Sequence, residues 1–313
     1  MPQTSAMTYI RQGSTPFFRL PLVDVEAAAP YHGLNAVVLG VPWDMSVTYR
    51  PGARFAPYEI RRVSALVQSF HPVHKVDVFT KLRAADGGNV AIPPFAPALA
   101  RSVIENEVAS IVAAGAVPFA VGGDHSIAYP AMRAVAKKHG PLAVVHIDAH
   151  LDTSDAEVWG DEHHHGTPIR HAIEEGLVAQ GQLHQIGIRA PWGYPEEGAL
   201  AAGHGAVLYG VDAIAARGIA SVAQHIVSSV GDRPLYITLD VDGIDPAFAP
   251  GTGTPVPGGI SSREAIALLR GLAGTRLVGM DVVEVCPALD HADITCHLAA
   301  HLLYEGLALA AVG

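Results

Sequence analysis

Short apolar runs along this chain end repeatedly on glycine or on charged residues, and between them lie stretches whose apolar positions recur every three or four residues. The runs at 35–42, 116–121, 141–147, 184–189, 206–210, 234–239 and 276–284 read as strands, being rich in Val, Ile, Leu and Ala with few polar interruptions. The periodic stretches at 57–68, 97–114, 129–138 and 262–271 read as helices, the first opening with Pro57 near its start, where a missing N–H costs nothing. Strand and helix alternate. That order predicts an α/β fold of three layers, a mainly parallel central sheet covered by helices on both faces. No internal repeat, low-complexity tract or charge block interrupts it, and the 313 residues are expected to form one domain over 17–313 behind an N-terminal arm, 1–16.

Composition narrows the function classes. A net charge of −10 counts against nucleic-acid binding and is compatible with a cationic substrate. The N-terminus lacks a basic segment followed by an apolar one, and no stretch approaches eighteen uninterrupted apolar residues, so a cytoplasmic protein without a membrane partner is expected. Cys286 and Cys296 stand in apolar surroundings with no Cys-x-x-Cys spacing and are expected to be free buried thiols. The glycines at 122–123 and 251–259 fit neither a Rossmann nor a P-loop pattern, which leaves close backbone approach as their expected use.

The candidate chemistry sits at three strand ends. Asp148-Ala-His150-Leu-Asp152 follows one apolar run, Asp240-Val-Asp242 another, and Gly-Gly-Asp-His125-Ser a third. Side chains alternate along a strand, so Asp148 and His150 are expected to point one way, as are Asp240 and Asp242. One Asp-x-Asp alone is usually a turn or helix cap, and one histidine on an apolar strand is usually a hydrogen-bonded core residue. Three coincident clusters are different, because several carboxylates are rarely buried without a counter-ion. His125, Asp148, His150, Asp152, Asp240 and Asp242 together carry a formal charge of about −4 with neutral histidines, which two divalent cations cancel. Oxygen-rich ligation with imidazole suits manganese, cobalt or nickel, some carboxylates must bridge, and two such ions roughly 3.5 Å apart make a hydroxide available near neutral pH.

These motifs, with His-Gly-Thr-Pro at 165–168, Leu-Asp-Val-Asp-Gly-Ile-Asp-Pro from 239, and Asp-Val-Val-Glu-Val-Cys-Pro at 281–287, resemble the ureohydrolase family of arginases, agmatinases and guanidinobutyrases. Ser46-Val-Thr-Tyr-Arg-Pro-Gly-Ala-Arg is closest to the agmatinase and guanidinobutyrase branch. The resemblance implies an arginase-like fold and a binuclear centre, manganese by family habit with nickel or cobalt possible, whose bridging hydroxide attacks a guanidinium carbon to release urea and an amine. It implies His165 as the proton shuttle, Glu284 as a bidentate clamp on the planar guanidinium, and Asp152 as a ligand that also assists catalysis. A homo-oligomer, trimer or hexamer, is implied, and a hetero-oligomer with a homologue is an alternative. Trp43, the stretch 68–71, His163 and Trp192 depart from the family pattern and are expected to shape the substrate's tail site together with Glu284. Aromatic walls there point to a small or alkyl-substituted guanidine, a biguanide or a short guanidino acid. The alternatives are an agmatinase or guanidinobutyrase proper and, in another class, a non-catalytic partner of an active homologue. A complete second ligand set argues against a single-metal deacetylase of the related fold.

Overall fold

The computed structural model describes residues 15–93, 96–155 and 159–313. The expected arm, 1–16, falls outside them up to residue 14. Ten strands are present among the described residues: β1 Ala36–Gly40, β2 Phe70–His71, β3 Val76–Asp77, β4 Ala84–Asn89, β5 Val117–Val121, β6 Leu142–Ile147, β7 Val178–Ile186, β8 Val207–Tyr209, β9 Pro234–Asp240 and β10 Arg276–Val283. Eight form one sheet in the order β4-β1-β5-β10-β9-β6-β7-β8, every pair parallel, while β2 and β3 make a small antiparallel hairpin.

The central strands β6 and β9 are buried along their whole length. That explains why they read as continuous apolar runs rather than alternating ones: a parallel sheet with helices on both faces offers no solvent side. Alternate residues of the same strands feed two separate cores, Val38, Phe119, Val145, Ile237 and Met280 on one face, Val37, Ala120, Val144, Tyr236 and Val283 on the other. Helices Ala56–Ser64, Ser262–Gly271 and Ile294–Val312 contribute to the first core, and Ala100–Ala113 and Ala128–His139 to the second.

Helix 262–271 matches its expected bounds because its start is written locally: the Ser261 hydroxyl accepts from the Glu264 amide and the Glu264 carboxylate accepts from the Ser261 amide. The strand expected at 184–189 instead begins at Val178, with Gly181 in a left-handed conformation (φ 72°) and a register shift against β6. The first expected helix stops at Ser64 rather than reaching 68.

One long element has no counterpart in the sequence reading. Helix Ile294–Val312 is apolar on every side, so it shows no amphipathic period, and most of it is packed inside the fold. Its 19 residues and mean hydropathy of 1.3 would suit a membrane span, yet it serves here as a core helix against β10 and helix 56–64. Cys286 and Cys296 are free and buried, as expected.

Candidate metal centre

All three acidic strand ends open at the same edge of the sheet, on β5, β9 and β6, with β10 inserted between β5 and β9. Strand order reverses around this point, and side chains from both halves of the sheet meet across the crevice that results. After β5 the chain passes through Gly122 and Gly123, both left-handed. A Cβ on Gly123 would stand 2.7 Å from the Val41 carbonyl oxygen and 2.8 Å from that of Trp43, so only glycine lets the chain run this close to the loop after β1. This is the use expected of the glycine pair, although what approaches is a neighbouring loop rather than the acidic cluster itself.

The pleat does not pair the aspartates as alternation along a strand predicts. β6 ends at Ile147 and β9 at Asp240, so His150, Asp152 and Asp242 lie beyond the strands. Turns bring them back. Asp148 accepts from the His150 amide (2.6 Å), and Asp240 accepts from the Asp242 amide (2.8 Å) at the start of the turn Val241–Gly243. Asp152 is held in a left-handed conformation (φ 55°), uncommon for a residue with a side chain.

The six expected ligands converge. His125 Nδ1 lies 3.0 Å from Asp148 Oδ2, 2.8 Å from Asp152 Oδ2 and 3.5 Å from Asp240 Oδ2. His150 Nδ1 lies 3.3 Å from Asp148 Oδ1 and 3.1 Å from Asp242 Oδ2. Asp148 therefore gives one oxygen to each histidine-centred set. The donor chemistry fits divalent cations: His125 Nδ1 and Asp152 Oδ2 are buried without a hydrogen-bond partner among the described residues. The field of the pocket calls for positive charge as well. Burial works against protonation of His150, but Asp242 and Asp148 outweigh it and push its pKa up to about 12. Burial and the nearby Asp242 and Asp148 push Asp240 well above the usual carboxylate range.

Behind the ligands stands a layer that the sequence reading did not assign. His125 Nε2 donates to Thr238 Oγ1 (2.8 Å), which donates to Asp281 Oδ1 (2.7 Å), while the Tyr236 hydroxyl donates to Asp281 Oδ2 (2.7 Å). With its Nε2 committed there, His125 turns Nδ1 towards the acids, as the ligand atom that would face a cation. His146 Nε2 similarly donates to Asp148 Oδ2 (2.8 Å), its Nδ1 accepting from the Gln185 side-chain Nε2 (3.1 Å). The signal for His146 was available, since it stands two residues before Asp148 and a pleat puts both on one face.

Glu284 and His165 meet at the rim of this cluster. β10 ends at Val283, and Glu284 is left-handed (φ 62°), so it does not lie on a strand face opposite Val283 and Val285 as alternation suggests. The turn aims its buried carboxylate back at the metal side. Oε1 accepts from the His125 amide (2.9 Å) and from His165 Nδ1 (3.0 Å), and Oε2 takes no hydrogen bond from the described residues. His165 Nε2 faces the amide (3.2 Å) and hydroxyl (2.9 Å) of Thr48. Burial disfavours the His165 cation, but the hydrogen bond and charge of Glu284, with Asp124 and Asp152 beyond, outweigh it and raise the pKa to about 9.

A cleft of about 330 Å³ opens above His150, Asp152 and His165, walled by Thr48, Ser154, Trp159, His164, Trp192, Glu197 and Thr254. Of the residues expected to shape a tail site away from Glu284, Trp192 lines it. His163 does not: its ring lies against Tyr129 (centroids 5.9 Å apart) and His171 (4.4 Å), beside a separate small cavity that also receives Trp43. Phe70 and His71 belong to the β2–β3 hairpin, where His71 bonds Glu305. His164 takes the place expected of His163, which the run of three histidines could not distinguish.

The family model described as the arginase family matches residues 34–308. Proclavaminate amidinohydrolase of Streptomyces clavuligerus is 43% identical over 277 residues, 87% of this chain and 88% of that protein. Mitochondrial agmatinase of Gallus gallus is 40% identical over 94% of this chain and 85% of its own length, and guanidinobutyrase of Pseudomonas aeruginosa is 38% identical over 94% and 92%. A solved structure of the Streptomyces proclavaminate enzyme superposes with a TM-score of 0.89 over 95% of this chain and 97% of the other, at 41% identity.

Proposed function

Because this chain is a member of the arginase family, we propose that it hydrolyses a guanidino compound to urea and an amine. Two divalent cations would be held by His125, Asp148, His150, Asp152, Asp240 and Asp242. The observation that carries this reading is the division of Asp148, one oxygen to the His125 set and the other to the His150 set. When bound, such ions supply Lewis acidity and a water acidified towards neutrality.

The rest falls to side chains. The Oε2 atom of Glu284 is free to receive an N–H of the planar cation and fix its orientation. Water oxygen adds to the guanidinium carbon as the water gives up a proton, the C–N bond to the departing nitrogen breaks with its electron pair going to that nitrogen, and the nitrogen takes a proton, leaving urea and an amine. His165, raised to about 9, holds such a proton at neutral pH. Asp152, beside both His125 and the cleft, steadies the developing positive charge.

Manganese is the proposed ion, with nickel or cobalt able to serve, and the enzyme is proposed to work in the cytoplasm as a trimer or hexamer. The substrate side of the proposal is a small or alkyl-substituted guanidine, a biguanide or a short guanidino acid, seated against Trp192. Urea release from a guanidine panel, after anaerobic reconstitution with each metal and elemental analysis, tests it. Less than one transition metal per chain with hydrolysis intact overturns the binuclear reading, and no urea from any compound at full metal occupancy overturns the reaction.

A further inference from the structure

Among the described residues, one set of three metal-ligating side chains lies apart from the binuclear centre: His71, His74 and Glu305 bring one ligand atom each to within 4.8 Å of one another. His71 ends β2, His74 stands in the turn to β3, and Glu305 lies on helix 294–312. The strands β2 and β3 have two residues each and pair only with each other, joined through Lys75 in a left-handed conformation (φ 56°). A hairpin that short does not hold itself in water. Its fastenings are to the helix, from the Tyr304 hydroxyl to Ser69 O (3.0 Å) and from His71 to Glu305.

The hydrogen bonds of the set arrange its ligand atoms. His71 Nδ1 accepts from the His74 amide (3.0 Å), so the proton of the neutral ring is on Nε2, which donates to Glu305 Oε2 (2.9 Å). Arg270 holds the other oxygen, Oε1, through Nε (3.0 Å) and Nη2 (2.7 Å), and so fixes the carboxylate with Oε2 turned to the histidine. The His74 ring stacks on that of His71, centroids 4.5 Å apart, and its Nε2 is buried with no hydrogen-bond partner among the described residues. Such a nitrogen is costly to bury unless something pairs with it. Ligands on a tetrahedral zinc are about 3.3 Å apart, so His71 and Glu305 already hold nearly that spacing, and a small turn of the half-buried His74 ring closes the set.

We propose that His71, His74 and Glu305 form a further cation site, for zinc, which staples the β2–β3 hairpin to helix 294–312. The ion takes the place of the His71 Nε2 proton, which leaves to solvent, and a water fills the fourth position. Two imidazoles and one carboxylate suit zinc, whereas manganese stands at the weak end of the affinity series and leaves the site unfilled. The Arg270 charge beside Glu305 opposes a cation, which keeps the bound ion exchangeable. The site has no part in the hydrolase reading above and stands or falls apart from it.

The test starts from manganese-loaded protein, adds zinc and counts all bound transition metal, so that exchange of zinc into the binuclear centre leaves the total unchanged. Expected is one further ion per chain in the native protein and none in His74→Phe, which keeps the ring stack and removes only the ligand nitrogens. Lys75, exposed in the hairpin turn, reports the staple. With free zinc at about ten times the dissociation constant of that further ion, tryptic cleavage after Lys75, measured against a reference peptide, should slow about tenfold in the native protein and not in the variant. No further ion, a further ion that the variant binds equally, or one that leaves cleavage after Lys75 unchanged overturns the proposal. Should the variant not fold, the first and the last of these outcomes still decide on the native protein, whatever number of ions the binuclear centre holds.

Discussion

Replacing Asp281 by Asn should weaken one metal site from a distance, without touching either ion. Asp281 is wholly buried and receives two hydroxyl protons, from Thr238 at 2.7 Å and from Tyr236 at 2.7 Å. An Asn offers one acceptor oxygen and an NH2 group. If its oxygen keeps Thr238, the NH2 faces Tyr236, whose hydroxyl hydrogen then has no acceptor, a loss of about 1–3 kcal/mol in folding stability. The Thr238 bond also becomes neutral, so His125 Nε2–H is held less firmly and Nδ1 becomes a poorer donor. Second-layer changes of this kind cost about 10–100-fold in metal affinity, or about 1.4–2.7 kcal/mol. Because His150 has its own partners, only the ion on the His125 side should weaken. Chelator competition followed by elemental analysis reads the two affinities, and kcat at saturating metal should fall only a few-fold. Unchanged affinity in a folded variant, or equal weakening of both ions, refutes the relay through Thr238.

Asp148→Ala, which removes the shared ligand, should leave at most one ion per chain by elemental analysis and abolish urea release. Apo-protein should melt below holo-protein in a thermal scan, since metal binds the folded state. His165→Asn should keep both ions and lower kcat by about 10²–10⁴, whereas His163→Asn, outside the cleft, should do much less; equal losses at full occupancy would show that the wrong imidazole was chosen. If protonated His165 is the acid, activity holds below its pKa and falls as pH rises through about 9, and Glu284→Gln should move that limb to lower pH in a kcat profile. His184, buried without a hydrogen-bond partner for either ring nitrogen among the described residues, has its pKa lowered to about 4 by burial and by His225. Its contribution to stability is complete above the unfolded value of about 6.5 and is lost as pH falls towards 4, amounting to about 2 kcal/mol at pH 5. His184→Leu should therefore flatten the fall in Tm between pH 7 and pH 5, and an unchanged slope would count against it.

The parallel sheet and the convergence of the six candidate ligands were legible because each rests on a local signal, an apolar run ending in acid. What escaped depended on contacts between distant segments. Helix 294–312 carried no period because its apolar residues run nearly all round it and most of it is buried. Asp281 looked like one more residue of a motif, since its partners Thr238 and Tyr236 lie on a neighbouring strand more than forty positions earlier. Glu284 was read on a regular pleat, and a left-handed residue at the strand's end redirects it. His163 and His164 differ by one position, and only the tertiary packing of His163 on Tyr129 and His171 decides which of them faces the cleft.

The last strand among the described residues, β10, occupies the middle of the sheet, between β5 and β9. A ribosome-bound chain that has not yet emitted residues 276–283 therefore holds two part-sheets, β4-β1-β5 and β9-β6-β7-β8, each with a bare inner edge. Those edges are buried apolar strands with unpaired amides, the kind of surface that recruits other chains. Closure must await synthesis of β10, and its long-range pairings make it slow. Newly made protein should consequently lean on chaperones more than its final compactness suggests, and chains ending before residue 276 should aggregate rather than persist as soluble fragments.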